Sequence, residues 1–142
     1  MLSSADRAAW TELFRAYHAF YGRPSVPDAD LARTWQELAD GNRMHALGAW
    51  IDGELVGITH FLVHASTSSP DVCYLQDLYT APSARGRGAG RALIEAVSAW
   101  AAEQGCCRVY WHTQSDNATA RRLYDSVAEN RGFIVYVRPL NV

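Results

Sequence analysis

The residues best suited to chemistry lie together in the run Arg85-Gly86-Arg87-Gly88-Ala89-Gly90-Arg91. Three glycines alternate with arginines and one alanine. Glycine has no Cβ to keep a ligand away from the main chain. Where such a run opens a helix, the first backbone N–H groups lack intrahelical acceptors and the macrodipole is positive. A helix mouth of this kind seats anions, and Arg85, Arg87 and Arg91 add charge of the right sign. The chemistry implied is the binding of a phosphate or pyrophosphate. A dinucleotide fingerprint requires G-x-G-x-x-G, whereas these glycines fall as G-x-G-x-G; a P-loop requires a lysine that is absent here. What remains is R-x-x-G-x-G, with Arg85, Gly88 and Gly90 in the fixed places. A connector that only turned the chain would not need three arginines.

The loop must be held by the elements on either side of it. Upstream, Val72 to Thr80 reads as a strand leading into a proline turn; downstream, Gly88 to Gln104 reads as a helix with Ala92, Leu93, Ala96, Val97 and Trp100 on its buried stripe. Gly105 stops that helix. Before the strand, Ser3 and Ser4 are cap candidates for a helix over Ala5 to Tyr21, and a second helix is predicted over Ala29 to Asp40. Strands are predicted over Met44 to Ile51 and Glu54 to His64, joined by the hairpin signal Asp52-Gly53. After the glycine loop and its helix come a strand over Arg108 to Thr113, a helix over Ala118 to Glu129 and a last strand over Phe133 to Arg138. The order ααβββαβαβ predicts an α/β (α+β) fold. It has one mixed, mostly antiparallel sheet, a central right-handed parallel βαβ unit and helices on both faces.

Composition narrows the classes. The 142 residues are 49% hydrophobic, enough for one domain with a core, so 1–142 is read as a single domain. The net charge of −2 gives no support for nucleic-acid binding. Cys73, Cys106 and Cys107 form neither a disulfide framework nor a C-x-x-C pair, and read as small core residues in a cytoplasmic protein. No apolar run approaches a membrane span and no signal-peptide pattern opens the chain. His60 and His64 share a strand face by parity, but nothing completes a ligand set, so no metal is expected. Tyr17, Phe20, Tyr21 and Trp35 read as packing between the first two helices.

Two blocks carry a family resemblance. YLQDLYTAPSARGRGAGRAL, starting at Tyr74, is similar to the coenzyme A loop of the GNAT superfamily of N-acetyltransferases. NATARRLYDSVAENRGF, starting at Asn117, resembles the N-x-x-A-x-x-L-Y-x-x-x-G-F signature, with extra residues before Gly-Phe. The likeness covers nearly the whole chain and is nearest the small polyamine- and histone-acetyltransferase-like branch. It implies a sheet splayed after Leu78, Tyr79 and Thr80, with acetyl-CoA in the cleft as co-substrate. Pantetheine would pair with the main chain of that strand, and the pyrophosphate would rest on the amides from Arg85 to Arg91. Asn117 would contact the cofactor and Tyr124 would approach its sulfur. Two departures stand out. Only Met1-Leu2 precede the first helix cap, so the family's initial strand is absent or truncated. Gln76 stands where many relatives have glutamate, and glutamine takes up no proton.

The implied reaction is attack of a primary amine, on a polyamine, another small molecule or a lysine-like group, upon a bound acetyl thioester. A lysine-like amine has a pKa of ~10.4, so freeing its lone pair at pH 7 costs roughly 4 to 5 kcal/mol. Asp77 is the candidate proton acceptor, with His112 as another base, and Tyr124 is the candidate acid for the departing thiolate. Tyr21 and Gln76 are candidate acceptor-site residues. The alternative is a non-catalytic acyl-CoA-binding module, favoured by Gln76. A homodimer is expected if the missing strand leaves a sheet edge to be covered.

Overall fold

A computed structural model describes residues 1–141. The chain divides into two compact units, Met1–His112 and Thr113–Val142. In the first, a 3-10 turn over Ser4–Asp6 leads into α1 (Arg7–Phe20), and α2 (Asp28–Asp40) follows. Then come β1 (His45–Ile51), β2 (Glu54–His64) and β3 (Val72–Thr80). A further 3-10 turn, Pro82–Ala84, precedes α3 (Ala89–Glu103), and β4 (Val109–Tyr110) closes the unit. The Asp6 carboxylate accepts the Ser3 backbone N–H at 2.7 Å, tying the chain to the start of α1. Gly41 ends α2 in the left-handed conformation that a non-glycine residue adopts only at a cost.

The sheet order is β1-β2-β3-β4, with β1/β2 and β2/β3 antiparallel and β3/β4 parallel. Successive strand residues point to opposite faces. Ile58, on one face of β2, joins Trp10, Leu13, Phe14 and Tyr17 of α1 and Leu31 of α2 in a buried cluster. Phe61, on the other face, packs edge-on against Trp100 of α3 with ring centroids 4.9 Å apart. Helices therefore cover both faces of the sheet. Trp10 is fully buried, so its truncation to alanine would cost roughly 3–5 kcal/mol.

Three expectations are corrected. The strand predicted over Arg108 to Thr113 shrinks to the two residues of β4, which pair only with Cys73 and Tyr74. The predicted last strand, Phe133 to Arg138, is irregular, and Phe133, Ile134, Tyr136 and Val137 are exposed. The second unit holds α4 (Ala118–Val127) and no strand among its described residues. Strand propensity is realised only against a pairing neighbour, and within that unit Phe133 to Arg138 has none. Of the three cysteines only Cys73 is buried, while Cys107 is exposed.

Candidate active site

Two features of β3 shape the site. The first is a bulge. His60 pairs with Asp77 and Phe61 with Leu75, so Gln76 is the extra residue of β3. Bulges bend a strand and re-aim its side chains. The second is an open edge. Pairing with β4 ends at Tyr74, so among the described residues Gln76 to Thr80 pair with no strand on that side. The Ala81 N–H donates to the Val56 carbonyl at 2.7 Å. Antiparallel alternation therefore turns the main-chain groups of Tyr79 toward β2 and those of Leu78 and Thr80 toward the open edge.

The glycine loop follows directly. Gly86 and Gly88 have φ of 77° and 82°, and a Cβ built on either would meet nothing within 4 Å. The space beside them is open to a ligand. Gly88 is the N-cap of α3 and no side chain caps the helix, so the first turn, Ala89 to Arg91, presents its N–H dipoles at the loop mouth. Arg85 and Arg87 are exposed, and the Arg85 guanidinium lies 5.0 Å from the Phe20 ring centroid at the end of α1. An extended main-chain edge running into an uncapped, arginine-flanked helix start fits a ligand with an amide-bearing arm and a diphosphate.

Asp77 anchors the other half of the site. The Tyr17 hydroxyl donates to Asp77 Oδ1 at 2.9 Å, and His60 Nδ1 lies 2.9 Å from Oδ2. The Trp10 indole N–H donates to His60 Nε2, also at 2.9 Å. Burial alone would push the Asp77 carboxyl up, but the hydrogen bonds from His60 and Tyr17, with the nearby Arg23 charge, hold it below the usual carboxylate range. Burial and the Asp77 charge together push the Tyr17 phenol far above its ordinary value, so Tyr17 stays a donor. The Asp77 side chain keeps 16% of its surface exposed. It opens onto a cleft of about 270 Å³ whose walls include Arg33, Glu37, Arg43 and Met44.

Residues 8–128 match the acetyltransferase (GNAT) family. The chain belongs to the GNAT acetyltransferase family. It is 33% identical to a D-amino-acid N-acetyltransferase of Saccharomyces cerevisiae, over 94% of this chain and 84% of the yeast protein. It is also 33% identical to an aminoglycoside N(6′)-acetyltransferase type 1 of Stenotrophomonas maltophilia, over 94% of this chain and 87% of that enzyme. Its fold resembles an aminoglycoside 6′-acetyltransferase solved with a CoA-containing bisubstrate analogue. The TM-score is 0.84 at 21% identity, covering 99% of this chain and 95% of the other.

Against this GNAT frame, the expected site residues divide into groups. Leu78, Thr80 and the run Arg85 to Arg91 lie consecutively along the open edge and loop. Tyr79 is buried on the α1 face, its ring 6.0 Å from that of Tyr17, and its main-chain groups face β2 rather than the open edge. Gln76 is exposed at the bulge. Tyr21 stacks edge-on with Tyr17 under Arg23, beside Phe20. Trp35 of α2 packs on Trp10 of α1, as expected of packing between the first two helices. His112 accepts or donates at 3.2 Å with the Tyr74 hydroxyl, outside β4. Asn117 and Tyr124 belong to the second unit, where the Asn117 side chain accepts the Ala120 N–H at 3.5 Å and caps α4. Tyr124 is half-buried on that helix. No group of three His, Cys, Asp or Glu side chains could hold a metal among the described residues.

His60, Trp10 and Tyr17 are the functional candidates that the sequence hid. His60 was visible only as one of two histidines on a strand face. Its partner could be found only by pairing β2 with β3 across the bulge at Gln76.

Proposed function

We propose that this acetyltransferase acylates the primary amine of a small molecule by direct attack in a ternary complex with acetyl-CoA. The observation that carries the proposal is the bare β3 edge of Leu78 and Thr80 running into the uncapped glycine mouth of α3, with the Asp77 cleft opening from the same strand. Leu78 and Thr80 would pair with the pantetheine amides, and the loop from Arg85 to Arg91 would hold the diphosphate. Bound acetyl-CoA would supply the activated acetyl group. Asn117 is assigned a cofactor contact and Tyr124 the role of general acid. The family match runs from residue 8 to 128 and so across both units, which supports reading the whole chain as one catalytic domain. Calorimetric titration with CoA and acetyl-CoA tests the seat, and thiol release with a panel of amines tests the transfer. No CoA binding at millimolar concentration would end the proposal.

The held-ionised Asp77 is a poor proton acceptor at neutral pH, and its role is to receive an N–H of the acceptor. The ammonium gives its proton to water first, and the neutral amine so formed attacks the thioester carbonyl.

Charge on the cleft walls narrows the acceptor. Asp77 stands there with Arg33 and Arg43; Arg33 pairs with Asp30 and Arg43 with Glu37, but each guanidinium keeps further N–H donors, so a zwitterion finds a partner for each end, its ammonium at Asp77 and its carboxylate at a guanidinium. An amino acid fits such walls better than a polyamine or a lysine-bearing protein tail, and the likeness to a yeast D-amino-acid N-acetyltransferase supports this choice. Lysine against its decarboxylated diamine decides it. Equal kcat/KM for the two would rule out a carboxylate subsite, and polyamine-preferring turnover would restore the polyamine branch.

A homodimer is also proposed, because β1 is an edge strand and the apolar stretch Phe133 to Val137 is exposed. Light scattering showing a monomer at high concentration would oppose it. The free cysteines suit a reducing, cytoplasmic setting.

A further inference from the structure

Trp10, His60, Asp77 and Tyr17 form a chain of hydrogen bonds that no step described so far uses in full. An indole N–H can only donate, so His60 Nε2, 2.9 Å from Trp10 Nε1, must present its lone pair. The imidazole proton then sits on Nδ1 and points at Asp77 Oδ2. His60 is 1% exposed and Trp10 is 0% exposed, so no solvent competes for either nitrogen. His60 thus cannot take a proton from substrate, and its only outlet is the Asp77 carboxylate. That carboxylate has each oxygen engaged once by protein, and Thr59 further pins its strand by donating its hydroxyl to the Asp77 carbonyl at 2.8 Å. Each carboxylate oxygen has a second lone pair. With the protein donors on the core side, the second lone pairs are left for the cleft that Asp77 lines.

We propose that Trp10 and His60 are positioning residues that act through Asp77: Trp10 fixes the His60 tautomer, and His60, together with Tyr17, fixes the Asp77 carboxylate so that it accepts an N–H of the amine substrate. This rests on the acceptor cleft proposed above. A neutral amine held by its N–H at Asp77 has one defined direction for attack, and misplacement by an ångström is expensive in rate. The charged and titratable groups around the ring are Asp77 from β3, Tyr17 and His18 from α1, Arg23 after α1, and Arg33, Glu37 and Arg43 across the cleft. Of these, only Asp77 is in hydrogen-bond contact with His60.

The test compares H60N with H60L, alongside W10F. An asparagine amide can occupy the place of Nδ1–H and donate to Asp77, whereas leucine cannot. The proposal expects CoA affinity unchanged in all three, H60N within about threefold of wild-type kcat, and H60L lower by about tenfold to a hundredfold. Nitrogen-15 spectra of the ring at pH 7.5 should show His60 as the pure Nδ1–H tautomer in wild type and as a mixture in W10F. H60N and H60L equally impaired, or H60L as active as wild type, would overturn the proposal, as would the Nε2–H tautomer in wild type. If wild type binds CoA but acetylates no amine, the acceptor cleft itself fails, and the tautomer measurement still decides the hydrogen-bond chain. Should H60L not fold, H60N against H60Q gives the same comparison, since glutamine places its amide one methylene too far.

Discussion

Gly88→Ala separates a main-chain seat from a mere turn. At φ 82° an L-residue is strained by roughly 1–2 kcal/mol, but the new methyl meets nothing within 4 Å, so no steric clash adds to this. At about 4 °C per kcal/mol for a chain of this size, Tm should fall by about 4–8 °C. The built-in control is Gly41→Ala. Gly41 has φ 63° and equally open surroundings, but it ends α2, away from the glycine loop. Its Tm should fall by a similar amount. The two variants should part company in calorimetry with CoA. If the diphosphate rests on the amides beside Gly88, a methyl there displaces it from one or two charge-assisted hydrogen bonds, each worth roughly 1.5–3 kcal/mol. That is a loss of about tenfold to ten-thousandfold in affinity, while Gly41→Ala binds as wild type. Gly88→Glu should lose binding altogether. Equal CoA affinity in both alanine variants would refute the seat, however well the loop resembles its relatives.

Other outcomes can be stated briefly. Because the folded carboxyl of Asp77 is held below its ordinary value, its stabilising effect is present above about pH 4 and disappears as pH falls through the lower folded value. Urea melts of Asp77→Asn should therefore lose less stability than wild type between about pH 4 and pH 2. For the same reason kcat/KM for an amine should climb about tenfold per pH unit from pH 6 to 8 with no break; a break near pH 6–7 would reveal a protein base. Tyr124→Phe should keep CoA affinity and lose turnover by about 10² or more; full turnover would remove its role as acid. Burial pushes the Cys73 thiol up to about 11 while Cys107 is exposed, so mass mapping after brief alkylation at pH 8 should find Cys107 labelled and Cys73 not.

Much of the frame could be read from the residues alone. β2 and β3 begin and end where alternation and the Asp52-Gly53 turn place them, and α3 starts within a residue of the predicted glycine. These are local signals, complete within a few residues. What stayed hidden depends on contact between distant segments. The bulge at Gln76 exists only in the pairing of β2 with β3. The Asp77 network joins α1 to two strands, with partners 17 and 60 residues away. Phe133 to Arg138 failed in the other sense: its composition is that of a strand, but a strand also needs a neighbour, and composition does not report one.

The proposed cofactor seat and the proposed acceptor cleft are built from different materials. One is peptide groups, identical whatever side chains flank them; the other is arginine, glutamate, methionine and a supported aspartate. Drift in the gene can recolour the cleft, one substitution at a time, and leave the seat intact provided the glycines survive. A fold so divided is free to change which amines it accepts without relearning how to hold its acyl donor.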